Sequence, residues 1–224
     1  MIWRYEIKFA IWDRELAYFE NWLDAQPHFR RAYEQRIVNS IYFDTPDFMT
    51  AIDNLAGIAD RTKYRVRWYG PDESSSARFE VKVKQGRLGR KIAADLSLSA
   101  SEFRRLGPGE RDRLLCAFEH LRAELPQGDP LRSVLLVKYD RDYFARGNQI
   151  RVTIDRNLHF GEIWSGSVTA DQRQSSLPMN VIEFKFSPED KDLAANIISE
   201  LPFYPVRNSK YMLGLSSFGR SVYI

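Results

Sequence analysis

The stretch FEVKVKQGRLGRK, residues 79–91, decides how the rest of the chain is interpreted. Apolar and charged side chains alternate strictly through its first six residues, which predicts a β-strand with two unlike faces. The apolar face consists of Phe79, Val81 and Val83. The charged face consists of Glu80, Lys82 and Lys84. A glycine-rich turn with three more cations follows, so this part of the sheet is predicted to meet an anion.

The composition is that of a folded protein: 224 residues, of which 44% are hydrophobic and 28% charged. No linker-like segment interrupts the chain, so we expect one domain over residues 1–224. Arg4, Glu6 and Lys8 interrupt the N-terminal apolar residues, which argues against a secretory signal or membrane span. We therefore expect a cytoplasmic protein. The single Cys116 excludes a disulfide framework, and its helical surroundings predict a buried, unreactive thiol.

Hydrophobic periodicity predicts an α+β fold of mostly antiparallel strands with peripheral helices. The predicted strands are RYEIKFAI, RIVNSIYFDT, DRTKYRVRWYG, ARFEVKVKQ, RKIAADLSL, SVLLVKYDRDYFA, QIRVTIDRNLHF and NVIEFKF. The predicted helices are DRELAYFENWLDAQP, PDFMTAIDNLAG, EFRRL, residues 110–125, EDKDLAANIISEL and RNSKYMLGLSSFG. We expect Asp13 to cap the first helix, Ser99 or Ser101 to cap the third, and DQRQSS to form a loop.

Five of the strands repeat the pattern of one apolar and one charged face. The charged faces carry Arg4, Glu6, Lys8, Lys63, Arg65, Arg67, Glu80, Lys82, Lys84, Arg151, Thr153, Asp155, Glu183 and Lys185. One interpretation is the solvated outer face of an antiparallel sheet. The other is a closed eight-stranded barrel whose apolar faces pack outward under helices and whose charges line a polar tunnel. Crowded like charges on neighbouring strands favour the tunnel, because an anionic ligand relieves them.

The mixture of charges in this tunnel predicts its chemistry. Arginine and lysine side chains bind phosphates, arginine through two parallel hydrogen bonds and lysine as a point charge. The intermixed carboxylates suit a divalent cation, Mg²⁺ or Mn²⁺, held together with substrate phosphate oxygens. Cations with carboxylates therefore predict metal-assisted phosphoryl chemistry.

Eight segments resemble, in order, the VTC (vacuolar transporter chaperone) polyphosphate-polymerase domain of the CYTH-like triphosphate tunnel metalloenzyme superfamily. They are RYEIKF, IYFDTPDF, KYRVRWYG, FEVKVK, VKYDRDYF, IRVTIDRNLHF, VIEFKF and RNSKYMLG. The resemblance implies an eight-stranded tunnel that binds a triphosphate and Mn²⁺ or Mg²⁺. Arg4 stands where hydrolytic members have the first glutamate of E-x-E-x-K, which favours the VTC branch.

The resemblance also assigns residues. Its phosphate-binding positions are Lys8, Arg65, Arg67, Lys82, Arg141, Arg151, Ser209, Lys210 and, by a looser match, Lys91. Glu183 is the metal-binding position. The charged strand faces add Lys84 and Lys185 as phosphate ligands and Glu6 and Glu80 as further metal ligands. The residues expected to act in catalysis are Lys8, Arg65, Arg67, Lys82, Glu183 and Lys210.

Three functions stay open from the sequence. A polyphosphate polymerase would pass the terminal phosphate of ATP to polyphosphate or pyrophosphate, a triphosphatase would pass it to water, and a sensor would bind without turnover. No P-loop motif or histidine spacing for zinc occurs, and the enclosed mixture of cations and carboxylates argues against a nucleic-acid partner. Export of a product would need a separate membrane-protein partner.

Overall fold

A computed structural model describes residues 3–71, 74–118, 130–163 and 174–219. Its strands are β1 (Arg4–Ile11), β2 (Arg30–Asp44), β3 (Arg61–Tyr69), β4 (Ser76–Gln85), β5 (Leu88–Ser99), β6 (Arg132–Arg146), β7 (Ile150–Glu162), β8 (Gln174–Leu177) and β9 (Asn180–Phe186). Its helices are α1 (Asp13–Ala25), α2 (Met49–Leu55), α3 (Ala100–Arg105), α4 (Pro108–Cys116), α5 (Lys191–Ser199) and α6 (Lys210–Ser217), and a 3-10 turn (Pro188–Asp190) precedes α5.

Eight of the strands close into a ring in which every neighbouring pair is antiparallel. The order is β6-β2-β3-β4-β5-β1-β9-β7, and β7 pairs again with β6. The predicted eight-stranded closed sheet is confirmed. The ninth strand, β8, pairs with Leu158–Gly161 of β7, beyond the part of β7 that β9 covers. The loop predicted for DQRQSS is therefore wrong for residues 174–176, while residues 171–173 lie outside the described part of the chain.

The apolar strand faces point outward and are covered by helices, as predicted. Phe79, Val81 and Val83 pack in one cluster with Phe103 of α3 and Leu115 of α4. On the opposite side, the outward residues of β1, β7 and β9 pack against α1 and α5. The charged side chains of these strands point the other way and form ion pairs with one another inside the ring, whose interior we call the tunnel.

The tunnel has two ends. At the first mouth β2 and β4 begin and β3 and β6 end; at the second mouth β3 begins, β4 ends and the turn at Gly86 leads into β5. Helix α6 packs on inward-facing residues of β2, β6 and β7 near the second mouth. Gly214 allows this close approach, because an added Cβ would lie 2.5 Å from Leu135 Cδ2. The helix therefore fills one side of that end.

The helices lie where the sequence predicted them, but some of their caps and ends differ from the prediction. The first helix is capped by Trp12 rather than Asp13, since the Glu15 carboxylate accepts the Trp12 N–H at 2.8 Å. Ser99 caps α3, as predicted. Helix α4 runs from Pro108 to Cys116, shorter than predicted, and residues 119–125 are outside the described ranges. Cys116 is half-buried rather than buried. In the described residues, no helix is long and apolar enough to cross a membrane.

Candidate functional site

Glu80 of β4 organises the cations of β3. The Arg65 guanidinium donates to Glu80 Oε2 from Nε at 2.8 Å and lies 2.7 Å from it through Nη2, while Lys91 lies 2.6 Å from Oε1. Burial raises the pKa of Glu80, but the attraction of Arg65, Arg67 and Lys91 outweighs it and holds that pKa well below the usual value. Glu80 is therefore ionised, and it holds Arg65 in one orientation.

Arg67 is held by neutral partners from other strands. Its Nε donates to Ser40 Oγ at 3.0 Å and its Nη2 donates to Tyr139 Oη at 3.0 Å, while the side chain is buried. Arg65 also donates to Tyr42 Oη, at 3.3 Å. Because Ser40 and the tyrosines carry no charge, they orient the guanidinium groups without neutralising them. Glu80 is shared by both arginines, at 2.7 Å from Arg65 Nη2 and 3.8 Å from Arg67 Nη1. One carboxylate between two guanidinium groups leaves net positive charge to offer an anion.

A second organising carboxylate, Asp155 of β7, joins β6 to α6. Arg141 donates to it from Nε at 2.5 Å and from Nη2 at 2.7 Å, and Lys210 Nζ lies 2.6 Å from Oδ2. Burial raises the pKa of Asp155, but attraction to Arg141 and Lys210 outweighs burial and lowers the pKa to about 2. Asp155 thereby anchors the first residue of α6 to the tunnel wall.

The third cluster centres on Glu183 of β9. Its Oε1 lies 3.4 Å from Lys8 Nζ, and its Oε2 lies 2.9 Å from Lys185 Nζ and 3.9 Å from Arg141 Nη2. Burial raises the pKa of Glu183, but Lys185 and Lys8 attract the ionised form and the pKa falls well below its ordinary value. Glu183 therefore carries its charge in the tunnel.

Glu6 lies close to Glu183 on the neighbouring strand and forms an ion pair with Lys82. Burial raises the pKa of Glu6 and so does the Glu183 charge, but the attraction of Lys82 is strong enough to leave the pKa lowered. Two ionised carboxylates thus approach each other on β1 and β9. Cations between them offset the repulsion that their approach would otherwise cause.

These carboxylates fit a divalent metal in part. Within the described ranges, no group of three or more His, Cys, Asp or Glu side chains could hold a metal ion. Glu183 and Glu6 could supply one or two carboxylate ligands, which is typical of Mg²⁺ sites completed by water and substrate phosphates. The predicted ligand Glu80 holds Arg65 at 2.7 Å and Lys91 at 2.6 Å, closer than the lysines that lie 2.9 and 3.4 Å from Glu183, so Glu80 is more suited to orienting Arg65.

Near the second mouth the cations lack such carboxylates. Lys63 Nζ donates to Asn54 Oδ1 and Ser209 Oγ, both at 2.8 Å. Burial lowers the pKa of Lys63, and the cations Lys8, Lys82, Arg61 and Lys84 lower it further. Burial also lowers the pKa of Lys84, and repulsion from Arg61 and Lys82 adds to the effect. Among the described residues, this end of the tunnel therefore carries more positive than negative charge.

The structure brings most of the predicted site residues together. The side chains that share the three carboxylate clusters are Lys8, Arg65, Arg67, Lys82, Lys91, Arg141, Lys185 and Lys210. Ser209 caps α6 and accepts a hydrogen bond from Lys63. Arg151 faces the same side as Lys185, its register partner, but is exposed at the first mouth. Lys84 lies at the second mouth.

Sequence reasoning assigned no role to several residues of this site. Strand parity placed Lys63 and Asp155 on the charged faces, but it did not indicate which partners they have. Tyr42 and Tyr139 share a face with tunnel residues, but tyrosines in a strand give no charge signal. Asn208, whose carbonyl accepts from Lys8 Nζ at 3.2 Å, lies in an irregular segment that no periodicity reveals.

Eight strands of the chain thus close into an antiparallel tunnel lined by cations and carboxylates. The chain belongs to the VTC-domain family, whose model matches residues 3–219. The comparison with curated proteins gives no match.

Solved structures resemble the chain in fold. A Pyrococcus horikoshii protein is 15% identical with a TM-score of 0.56, covering 96% of this chain and 99% of its own. A Hippeastrum protein, described as a candidate adenylyl cyclase with a dominant triphosphatase activity, is 12% identical with a TM-score of 0.58, covering 97% and 96%. A Vibrio parahaemolyticus protein, described as a candidate adenylate cyclase, is 12% identical with a TM-score of 0.51, covering 95% and 98%.

Proposed function

We propose that this protein transfers the terminal phosphoryl group of a tunnel-bound nucleoside triphosphate, with a divalent metal, to a polyphosphate chain. The observation that carries the proposal is the arrangement of the inward cations around four ionised carboxylates, Glu6, Glu80, Asp155 and Glu183. Such a lining can neutralise a triphosphate and still place a metal beside it. Membership in the VTC-domain family supports the same activity.

The roles of the arginines follow from their partners. Arg65 and Arg67 are held by Glu80, Ser40 and Tyr139, so their free N–H groups are oriented before a substrate arrives. Such preorganised donors stabilise charge that develops on transferring phosphoryl oxygens without having to reorganise during the reaction. The lysines of the tunnel add point charges: they are Lys8, Lys82, Lys84, Lys91, Lys185 and Lys210. Arg141, Arg151 and Ser209 complete the proposed phosphate contacts.

The metal would be held by Glu183, with Glu6 as a second ligand. When bound, Mg²⁺ or Mn²⁺ supplies charge neutralisation across the phosphoryl oxygens. Lys8 and Lys185 flank Glu183 and keep it ionised, which a metal ligand requires. The buried walls around these groups limit water and so strengthen each electrostatic contact.

The second mouth favours a polymerase over a hydrolase. Arg61, Lys63 and Lys84 repel one another there, and a polyanion entering beside them would relieve that repulsion. Helix α6 occupies the β2–β6–β7 side of this end, so the acceptor chain would pass along the β3–β4 side. A water acceptor would gain nothing from these cations.

Hydrolysis is the second candidate, because a structural neighbour from Hippeastrum is described as having a dominant triphosphatase activity. Both reactions would use the same phosphate-binding side chains. They differ in whether water or a phosphate chain reaches the terminal phosphorus.

The experiment is to incubate the purified protein with ATP, Mn²⁺ or Mg²⁺ and a short polyphosphate primer, then to separate chain lengths from free phosphate. We expect longer chains. Free phosphate alone would instead support the hydrolase, and neither product with either metal would refute both reactions.

The variant to compare with wild type in this assay is Glu183→Gln, which removes the charge of the proposed metal ligand and keeps its size. It should abolish turnover with either acceptor while leaving much of the metal-free binding of tripolyphosphate. If the variant keeps wild-type turnover, Glu183 is not the metal ligand.

A further inference from the structure

Aromatic side chains gather at the first mouth, where β2 extends beyond the end of β3. Tyr33 of β2 meets its register partner Tyr143 edge to face, with ring centroids 5.6 Å apart. The Arg36 guanidinium lies 5.4 Å from the centre of the Tyr33 ring. Tyr33 is 50% exposed, and no described carboxylate pairs with Arg36. A planar cation and aromatic rings are thus displayed at the rim.

A cavity of about 460 Å³ opens beside this rim. Its lining residues are Gln35, Arg36, Ile37, Tyr69, Gly70 and Pro71. Two of its lining groups, the Arg36 guanidinium and the Tyr69 ring, are planar and can stack on a flat heterocycle.

Two residues that line the cavity are neighbours of phosphate-binding residues in the sheet. Tyr69 lies two positions after Arg67 on the same face of β3, and Arg36 is the register partner of Arg141. A ligand with its flat end between Arg36 and Tyr69 would therefore direct its other end toward Arg67 and Arg141. This is the arrangement that a base at one end of a triphosphate requires.

We propose that the rim formed by Arg36 and Tyr69 is a nucleobase-binding subsite, which selects nucleoside triphosphates over inorganic ones and prefers purines. This inference rests on the proposed function, because it assumes that a triphosphate binds in the tunnel. Purines are preferred because their larger face stacks more extensively. With the base at the first mouth, the terminal phosphate points inward, toward the cations of the second mouth. Tyr33 and Tyr143 are positioning residues that hold Arg36.

The test compares a ligand that has a base with one that lacks it. Binding of ATP and of inorganic tripolyphosphate is measured by calorimetry, with Mg²⁺ present, for wild type, Arg36→Lys and Tyr69→Leu. Arg36→Lys keeps the charge but loses the planar group. Tyr69→Leu keeps an apolar side chain but removes the ring. The control is Arg78→Lys, at the same mouth, where Arg78 is paired with Asp95 at 3.7 Å.

Each of the two variants should weaken ATP binding about tenfold, ~1.4 kcal/mol. Tripolyphosphate binding should change by less than about twofold. The Arg78→Lys control should alter neither ligand. Equal weakening of ATP and tripolyphosphate, or no change for ATP, would overturn the subsite.

A second readout uses the triphosphate of 2-aminopurine riboside, whose fluorescence falls when its base stacks. Quenching should occur with wild type and decrease in Tyr69→Leu; absence of quenching on binding to wild type would also overturn the subsite. These measurements need no turnover. If the base effects are present but no phosphate is transferred, the subsite stands and the proposed reaction fails.

Discussion

Replacing Asp155 by asparagine removes the charge that holds Arg141 and Lys210 together inside the tunnel. The carboxylate is fully buried and accepts two hydrogen bonds from Arg141, at 2.5 and 2.7 Å. Attraction to the two cations outweighs burial and lowers the pKa of Asp155 from 3.8 to about 2. Since one pKa unit equals about 1.4 kcal/mol, the ionised carboxylate contributes about 2.5 kcal/mol to folding.

Breaking a buried pair costs about 3–5 kcal/mol in other proteins, so we expect a loss of about 2–4 kcal/mol for Asp155→Asn at pH 7. The melting temperature should fall by about 5–12 °C. Because the folded-state pKa is lowered, this stability is present above pH 3.8 and is lost as the pH falls toward about 2. The difference from wild type should therefore shrink over that range.

The assay is urea unfolding at several pH values, with tripolyphosphate titrated into each protein at pH 7. Arg141 and Lys210 lose their carboxylate in the variant, so tripolyphosphate should bind more tightly and recover part of the lost stability. Asp24→Asn is the control, because Asp24 is exposed, and it should leave unfolding unchanged. An Asp155→Asn protein as stable as wild type, or one that binds tripolyphosphate more weakly, would refute the assigned role.

Two further substitutions test the packing of α6 and the charge at the second mouth. Gly214→Ala should lower the free energy of unfolding by about 1–3 kcal/mol, because its Cβ would lie 2.5 Å from Leu135 Cδ2 and 2.6 Å from Phe160 Cδ1. Gly109→Ala, with no atom within 4 Å of an added Cβ, should be neutral or stabilising, and equal urea midpoints for the two would contradict this. Lys63→Gln should raise the free energy of unfolding at pH 7, because burial and neighbouring cations penalise the charged amine and lower its pKa. This gain should shrink as the pH approaches 10.5, so a constant gain in urea unfolding from pH 7 to 10 would count against the repulsion.

Strand parity was enough to predict the inverted sheet. Alternation in β4 placed Phe79 outward and Lys82 inward, and the same rule worked for β1, β3 and β9 because the charged residues of each strand all fall on one face. The crowding of like charges on neighbouring strands favoured a closed tunnel over an open, solvated sheet. β8 escaped prediction because Gln174–Leu177 is short and polar and is defined by its pairing with β7.

The contacts within the site could not be predicted from the sequence as well as the fold could. Parity identifies which charges share the tunnel, but it does not reveal which carboxylate pairs with which cation. Glu80 and Glu183 look equivalent in sequence, yet the first orients Arg65 while the second lies beside Lys8 and Lys185. These assignments depend on strand register and on the inward position of α6, which only the folded chain supplies.

The central claim is that the inward cations hold a triphosphate with a metal at Glu183. The most direct measurement is a crystal structure of the protein with tripolyphosphate and Mn²⁺, using anomalous scattering to place the metal. We expect phosphate oxygens within hydrogen-bond distance of Arg65, Arg67 and Lys8, and an anomalous peak beside the Glu183 carboxylate. Tripolyphosphate bound outside the ring of strands, or Mn²⁺ remote from Glu183, would contradict the account.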